Sequence, residues 1–338
     1  MAEHITTLTK KDFTSDQMVR WCPGCGDYAI LNAVQNAMPE LGRKKEDFVF
    51  ISGIGCAARF PYYMNTYGFH TIHGRAPALA TGAKLSNPNL SVWIVTGDGD
   101  SLAIGGNHFI HALRRNLDVN ILLFNNQIYG LTKGQYSPTS KQGQVTKSTP
   151  MGALERPFSA GEVALGARAT FFARTIDTNP KLMSQLFIDS VQHKGTSLIE
   201  ILQNCVIYND NAFDAVTNRA TQEDNQLHLE HGKPMIFGKD KNKGIRLSRL
   251  RLEVVTIGEN GITEDDILVH DAHEPDTAIH NMLIRMELPD FPVALGIIRA
   301  VETVSYDQLV REQYESSKKN ARYGTMDELL ASGHTWEI

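Results

Sequence analysis

The sequence has no apolar run long enough to cross a bilayer, and its first residues, "MAEHITTLTKKDFTSDQ", lack the apolar core and small-residue cleavage site of a secretory leader. A cytoplasmic protein is expected, with no membrane partner. An excess of positive charge is missing too: 33 Lys and Arg stand against 38 Asp and Glu, for a net charge of -5. No basic patch is present to neutralise a phosphate backbone, so nucleic acid is not an expected partner. Cysteine is scarce, with four in 338 residues. A chain of this length buries its core without covalent staples, and thiols in a reducing compartment are not structural disulfides. Those four cysteines are then expected to serve chemistry. Internal repeats and low-complexity segments are also absent.

What is present is an alternation of apolar strands and helical runs. "DFVFIS", "LSVWIVTGDGD", "VNILLFNN", "ATFFART" and "TSLIEIL" are apolar on both faces. Between or before them, "YAILNAVQNAMPEL", "RAPALATGAKLS", "SLAIGGNHFIHALRRN" and "NPKLMSQLFIDSVQHK" carry helical spacing. This is the pattern of an α/β fold with a mostly parallel sheet covered by helices on both faces. Residues 128–158 have no clear period, and a loop of that length inside a compact domain is usually functional. Beyond Asn209 the rhythm loosens into a charged stretch, "GKDKNKGIRLSRLR", then one helix, "PDTAIHNMLIRM", and one strand, "FPVALGIIRAV". The expected division is an α/β cofactor domain over residues 1–209 and a C-terminal extension over 210–338 that serves a subunit interface.

The main chemical signal is Gly97-Asp98-Gly99, between an apolar strand and a helix. Free N–H groups and the positive dipole at a helix start suit a pyrophosphate, and glycine lets the backbone approach it. Asp98 adds a carboxylate, which beside a diphosphate holds a hard divalent cation such as magnesium. One crossover helix and one strand later, Asn126 emerges at the same carboxyl edge of the sheet, where ligands of open α/β folds bind. Asp98 and the Asn126 side-chain oxygen can share one cation with a nearby main-chain carbonyl. A dinucleotide turn fits worse, because "GDGDSL" has leucine where the third glycine of G-x-G-x-x-G belongs.

The cysteines come from three loops: Cys22 and Cys25 in "WCPGCGD", Cys56 in "GIGCAAR" and Cys205 in "LQNCVIY". Four thiolates are the requirement of a [4Fe–4S] cluster and equally of structural zinc. A redox dithiol would use Cys22 and Cys25 alone and leave the other two as buried apolar groups. The residues alone leave all three open.

The GDG and NN pair at this interval, together with "CPGCG", "GIGC", "HGRAPALATGAKL" and "NNQIYGLTKGQ", resembles the β subunits of the 2-oxoacid:ferredoxin oxidoreductases over Trp21 to Tyr208. The resemblance implies a thiamine-diphosphate-binding, pyrophosphate-type domain. It implies Mg2+ on Asp98, Asn126 and the Ile128 carbonyl, with Gly97, Gly99, Asp100 and Thr132 around the diphosphate. Gly55 and Cys56 would lie beside the cofactor, His73 would be a polar catalytic residue, and Cys22, Cys25, Cys56 and Cys205 would carry one [4Fe–4S] cluster. The glutamate that activates thiamine would come from the pyrimidine-binding domain of an α subunit, in an αβ or (αβ)2 enzyme. The reaction implied is coenzyme A-dependent oxidative decarboxylation of a 2-oxoacid with electrons passing to ferredoxin, reversible as carbon dioxide fixation. Lys133, just past the asparagines, would suit the second carboxylate of 2-oxoglutarate, which makes that substrate preferred over pyruvate. The competing reading is a non-redox thiamine-dependent decarboxylase with structural zinc.

Overall fold

The computed structural model describes residues 8–334 and Trp336. The apolar runs form the parallel strands of one sheet: β1 (Phe48–Ser52), β2 (Tyr67–His70), β3 (Ser91–Gly97), β4 (Val119–Asn125), β5 (Phe171–Ile176) and β6 (Ser197–Leu202). After Asn209 come β7 (Gln226–Leu229), β8 (Ile236–Phe237), β9 (Lys243–Ser248), β10 (Arg251–Thr256) and β11 (Val293–Ala300). The main sheet runs β2-β1-β3-β4-β6-β5-β11-β7. Its pairs are parallel except β5 with β11, which are antiparallel. The region after Asn209 thus adds two strands to the sheet, and β8, β9 and β10 form a separate antiparallel sheet.

Burial explains the apolar runs. Every residue of β1, β4, β5 and β6 is buried, as are the first six of β3. Successive side chains point to opposite faces, so each strand feeds two cores. On one face Ile94, Ile121, Leu123, Phe172 and Leu198 pack with the helices Ala76–Ser86, Gly106–Arg115 and Ala160–Gly166. On the other, Phe50, Trp93, Phe124, Ala173 and Ile199 pack with Asp27–Ala37 and Pro180–Gln192. Trp93 is wholly buried and stacked on Phe50 with ring centroids 5.6 Å apart.

The run "SLAIGGNHFIHALRRN" is not one continuous helix. Asp100–Ile104 is a π-helical turn, Ala103 departs from helical angles, and the regular helix starts at Gly106. The cause is a close crossing: a Cβ on Gly105 would stand 2.4 Å from the Asp100 carbonyl and 3.0 Å from the Gly74 Cα. That kink brings the segment around His73 onto the glycine-aspartate turn. The aperiodic segment from Asn126 to Ser159 forms no helix or strand beyond isolated bridges. Among the described residues no helix is long and apolar enough to cross a membrane.

Candidate cofactor site

At the carboxyl ends of β3 and β4 lies a cavity of about 120 Å³. Gly97, Asp98, Gly99 and Asp100 line it from the end of β3, and Asn126, Ile128, Tyr129 and Thr132 from the loop after β4. Gly55, Cys56 and His73 complete its wall. Lys133 lies one residue beyond that rim, exposed, with φ of +77°. Ten of the fourteen expected positions line this cavity, and Cys22, Cys25, Cys205 and Lys133 do not.

Asp98 is almost wholly buried, and burial pushes its carboxyl above the usual range. Two hydroxyls oppose that shift: Ser137 Oγ and Thr139 Oγ1 donate to Asp98 Oδ2 at 2.5 and 2.6 Å. Both donors come from the aperiodic loop. They occupy one carboxylate oxygen and fix the group where it lines the cavity. Asn126 is fixed as firmly. Its Oδ1 accepts from the Ile128 N–H at 3.1 Å, its Nδ2 donates to Gln203 Oε1 at 3.1 Å, and its carbonyl accepts from Asn209 Nδ2 at 2.9 Å. A carboxylate, an amide and a main-chain carbonyl on one cavity are the oxygen donors a hard cation takes, so these residues fit magnesium.

Gly99 has a steric requirement. A Cβ there would fall 2.2 Å from the Tyr129 ring, whose hydroxyl donates to the Gly99 carbonyl at 3.0 Å. Burial, with the charges of Asp98 and Asp100, pushes the Tyr129 hydroxyl up to about 12, so it stays a donor. Asp100 lines the cavity, but its oxygens serve the protein. Oδ1 accepts from the Gly74 and Ile54 N–H groups at 2.8 and 3.1 Å, and Oδ2 accepts from Thr96 Oγ1 at 2.8 Å. The same Oδ1 lies 2.5 Å from His73 Nδ1. A carboxylate can only accept, so the His73 proton sits on Nδ1 and leaves Nε2 as the basic atom. Asp100 is thus a clamp joining the loops at 54 and 73–74 to β3.

The thiols gather at the same wall. A Cβ on Gly130 would stand 3.5 Å from Cys205 Sγ and 3.6 Å from Cys56 Sγ, so glycine keeps open the space between the two sulfurs. Burial pushes the Cys56 thiol up to about 12, with Asp27, Cys205 and Cys22 adding to it. Burial also raises the Cys25 thiol, with contributions from Asp27, Cys56 and Cys205. Cys22 is exposed. Among the described residues no three His, Cys, Asp or Glu side chains are placed to hold a single metal ion. A zinc ion needs its thiolates about 2.3 Å from one centre, whereas a four-iron cluster takes its cysteines at separate corners. Cys25, Cys56 and Cys205 lie close enough to act on one another's titration, and Cys22 on that of Cys56, a donor set of four thiols whose chemistry suits the larger group.

Four residues outside the sequence reading matter here. Ser137 and Thr139 hold Asp98, and Tyr129 fills the space above Gly99. Gln203 joins the two centres: its Oε1 accepts from Asn126 while its Nε2 lies 3.3 Å from Cys25 Sγ. Its one signal in the sequence is a polar pair, Gln203-Asn204, at a strand end just before a cysteine.

Residues 53–201 match the family described as thiamine pyrophosphate enzyme, C-terminal TPP binding domain. The chain is 51% identical to the 2-oxoglutarate oxidoreductase subunit KorB of Mycobacterium tuberculosis, over 97% of this chain and 88% of that one. It is 42% identical to the 2-oxoglutarate synthase subunit KorB of Archaeoglobus fulgidus, over 55% of this chain and 69% of that one. A solved 2-oxoglutarate:ferredoxin oxidoreductase from Magnetococcus marinus, with 2-oxoglutarate, coenzyme A and succinyl-CoA bound, aligns with a TM-score of 0.78 at 30% identity, covering 98% of both chains.

Proposed function

Because the chain belongs to the β subunits of the 2-oxoacid:ferredoxin oxidoreductases, we propose that it is the thiamine-diphosphate- and cluster-bearing subunit of an enzyme that converts 2-oxoglutarate and coenzyme A to succinyl-CoA and carbon dioxide, with ferredoxin as electron acceptor. One observation carries this reading. The diphosphate cavity and the cysteine loops share a wall, with Cys56 lining the cavity and Gln203 bonded to both Asn126 and Cys25. A thiamine enzyme without redox chemistry would use four thiols at that place only for a structural metal such as zinc.

Asp98, Asn126 and the Ile128 carbonyl would hold Mg2+, and Cys22, Cys25, Cys56 and Cys205 one [4Fe–4S] cluster. Thiamine diphosphate, when bound, supplies the carbanion chemistry of 2-oxoacid decarboxylation. The chain's own residues bind and orient. Gly97 and Gly99 admit the diphosphate to the backbone, Thr132 stands at the rim, and Gly55 with Cys56 walls off the side toward the sulfurs. His73, fixed on Nδ1 by Asp100, presents Nε2 to the cavity as a proton acceptor or donor for substrate. Lys133 supplies a cation just outside the rim for the distal carboxylate of 2-oxoglutarate.

No glutamate lines the cavity among the described residues, and we assign the activating carboxylate to an α subunit. An apolar surface for such a partner stands beside the site. The outer strand β2 exposes Tyr67 and Phe69, and Tyr62 and Ile72 flank it, in a pattern that sheet edges do not leave bare without a partner. We propose the reverse, carboxylating direction as well.

The test is the co-expressed, anaerobically purified αβ protein, assayed for iron, sulfide and 2-oxoacid-dependent reduction of ferredoxin. About four iron and four sulfide per chain are expected, together with a 2-oxoglutarate preference that Lys133→Met shifts toward pyruvate. Stoichiometric zinc without iron would refute the redox reading. An unchanged substrate preference in Lys133→Met would refute the role of that lysine.

A further inference from the structure

On the other side of the β4 terminus lies a second cavity, of about 340 Å³, that the proposed reaction does not use. Three buried polar side chains from adjacent strands line it: Asn125 of β4, Glu200 of β6 and Arg174 of β5. Arg174 and Glu200 are register partners, and Arg174 Nε donates to Glu200 Oε2 at 2.8 Å. Asn125 Nδ2 donates to Glu200 Oε1 at 2.8 Å, so both oxygens of that carboxylate are satisfied.

Arg174 is not satisfied. A guanidinium has five N–H donors, and among the described residues only its Nε–H meets an acceptor. The side chain is nonetheless only 9% exposed, and its terminal nitrogens are left to the cavity it lines. Those nitrogens keep contact with solvent through the cavity, so a ligand there need only displace water to reach a charged fork that is otherwise buried. Two terminal nitrogens in a planar fork match the two oxygens of a carboxylate. Lys141 adds a second cation from the exposed loop.

The remaining lining selects the kind of anion. Glu162, Glu200 and Glu287 all line the cavity, Glu162 being paired with Arg285. A dianion such as phosphate would be repelled there, while a single carboxylate is tolerated. Phe158, Phe213, Val216, Ile284, Met286 and Leu288 make much of the rest apolar. The volume falls in the range of small-molecule sites, about 300–1,000 Å³. We infer that this cavity binds a small molecule with an apolar body and one terminal carboxylate, seated on the Arg174 fork.

The test is calorimetric titration of the αβ assembly with hexanoate, hexan-1-ol and inorganic phosphate. Hexanoate is expected to bind saturably, and the other two are not. Arg174→Gln should weaken hexanoate binding at least tenfold. Because that variant leaves Glu200 buried without its cation, the double variant Arg174→Met with Glu200→Met removes the whole ion pair at similar volume and should lose binding equally. Hexanoate bound in the catalytic cavity instead would be unaffected by these substitutions, and that outcome would overturn the inference. So would the absence of hexanoate binding, or binding of hexan-1-ol or phosphate as tight as that of hexanoate.

Discussion

Removing a single hydroxyl, in Ser137→Ala, tests how the cavity keeps a buried carboxylate ready for a cation. Asp98 is 2% exposed, and burial works against its charge. The forces on the other side are the hydroxyls of Ser137 and Thr139, at 2.5 and 2.6 Å from the same oxygen. A hydrogen bond to a charged group contributes about 1.5–3 kcal/mol. Losing one weakens the hold on the ionised carboxylate by that amount, and 1.4 kcal/mol is about tenfold in an equilibrium constant. Affinity for Mg2+ with thiamine diphosphate should therefore fall roughly 10- to 100-fold, the usual cost of removing a group that orients a metal ligand. Thr139→Val is a less clean perturbation. The Thr139 hydroxyl has one proton and two acceptors, Asp98 and Asn125 Oδ1 at 2.9 Å, and the charged, closer oxygen wins it. The valine variant would disturb Asn125 as well, and Thr139→Ser should restore binding. The assay is calorimetric titration of the αβ assembly with the cofactor at fixed Mg2+. A Ser137→Ala dissociation constant within twofold of the parent's, in protein of unchanged melting temperature, would show that these hydroxyls do not hold the ligand.

Three further outcomes follow from the same geometry. Gly130→Ala should leave the apoprotein's melting unchanged, since its Cβ meets the sulfurs of Cys205 and Cys56 at ordinary contact distances, but its methyl fills the space between them and iron content should drop by more than half. Full iron loading in that variant would place the cluster elsewhere. Gln203→Leu should loosen both centres at once, raising the cofactor dissociation constant about tenfold and lowering iron content, because half-buried Asn126 Nδ2 loses its acceptor and Cys25 its donor; a change in neither quantity refutes the bridge. Burial holds the His193 imidazole down at about 4 from the ordinary 6.5, so the fold keeps it neutral and its contribution is complete above 6.5 and lost as pH falls toward 4. Discounted for partial exposure, that is about 2 kcal/mol; His193→Gln should flatten the fall in stability between pH 6.5 and 4.5 in denaturant titrations, and parallel curves for the two proteins would refute it.

The central strands were readable because a parallel sheet buries both faces, and "VNILLFNN" and "TSLIEIL" leave no polar face for solvent. The antiparallel pair β9 and β10 was hidden for the opposite reason. In "GKDKNKGIRLSRLR" the charges dominate, yet Ile245 is fully buried while Arg246 reaches across to pair with Glu253 at 2.8 Å. Alternation there is short and half-wet, so charge density masked it. That β11 would join the sheet antiparallel beside β5, from more than a hundred residues later in the chain, is a long-range choice that no local pattern encodes.

The site divides along the same line. Asp98 and Asn126 were legible because strand ends fix position and residue type fixes chemistry. The groups that make them work, Ser137, Thr139 and Gln203, are common polar residues made specific only by where the folded loop brings them. Asp100 shows the limit from the other side: position and type pointed to the diphosphate, but its oxygens are taken by Thr96, Gly74, Ile54 and His73, so its effect on any ligand passes through the loops it holds. Arg174 and Glu200 did leave a signal, one charge each inside an otherwise apolar strand. Such charges are rarely buried unless paired, and here the pairing leaves Arg174 with donors to spare.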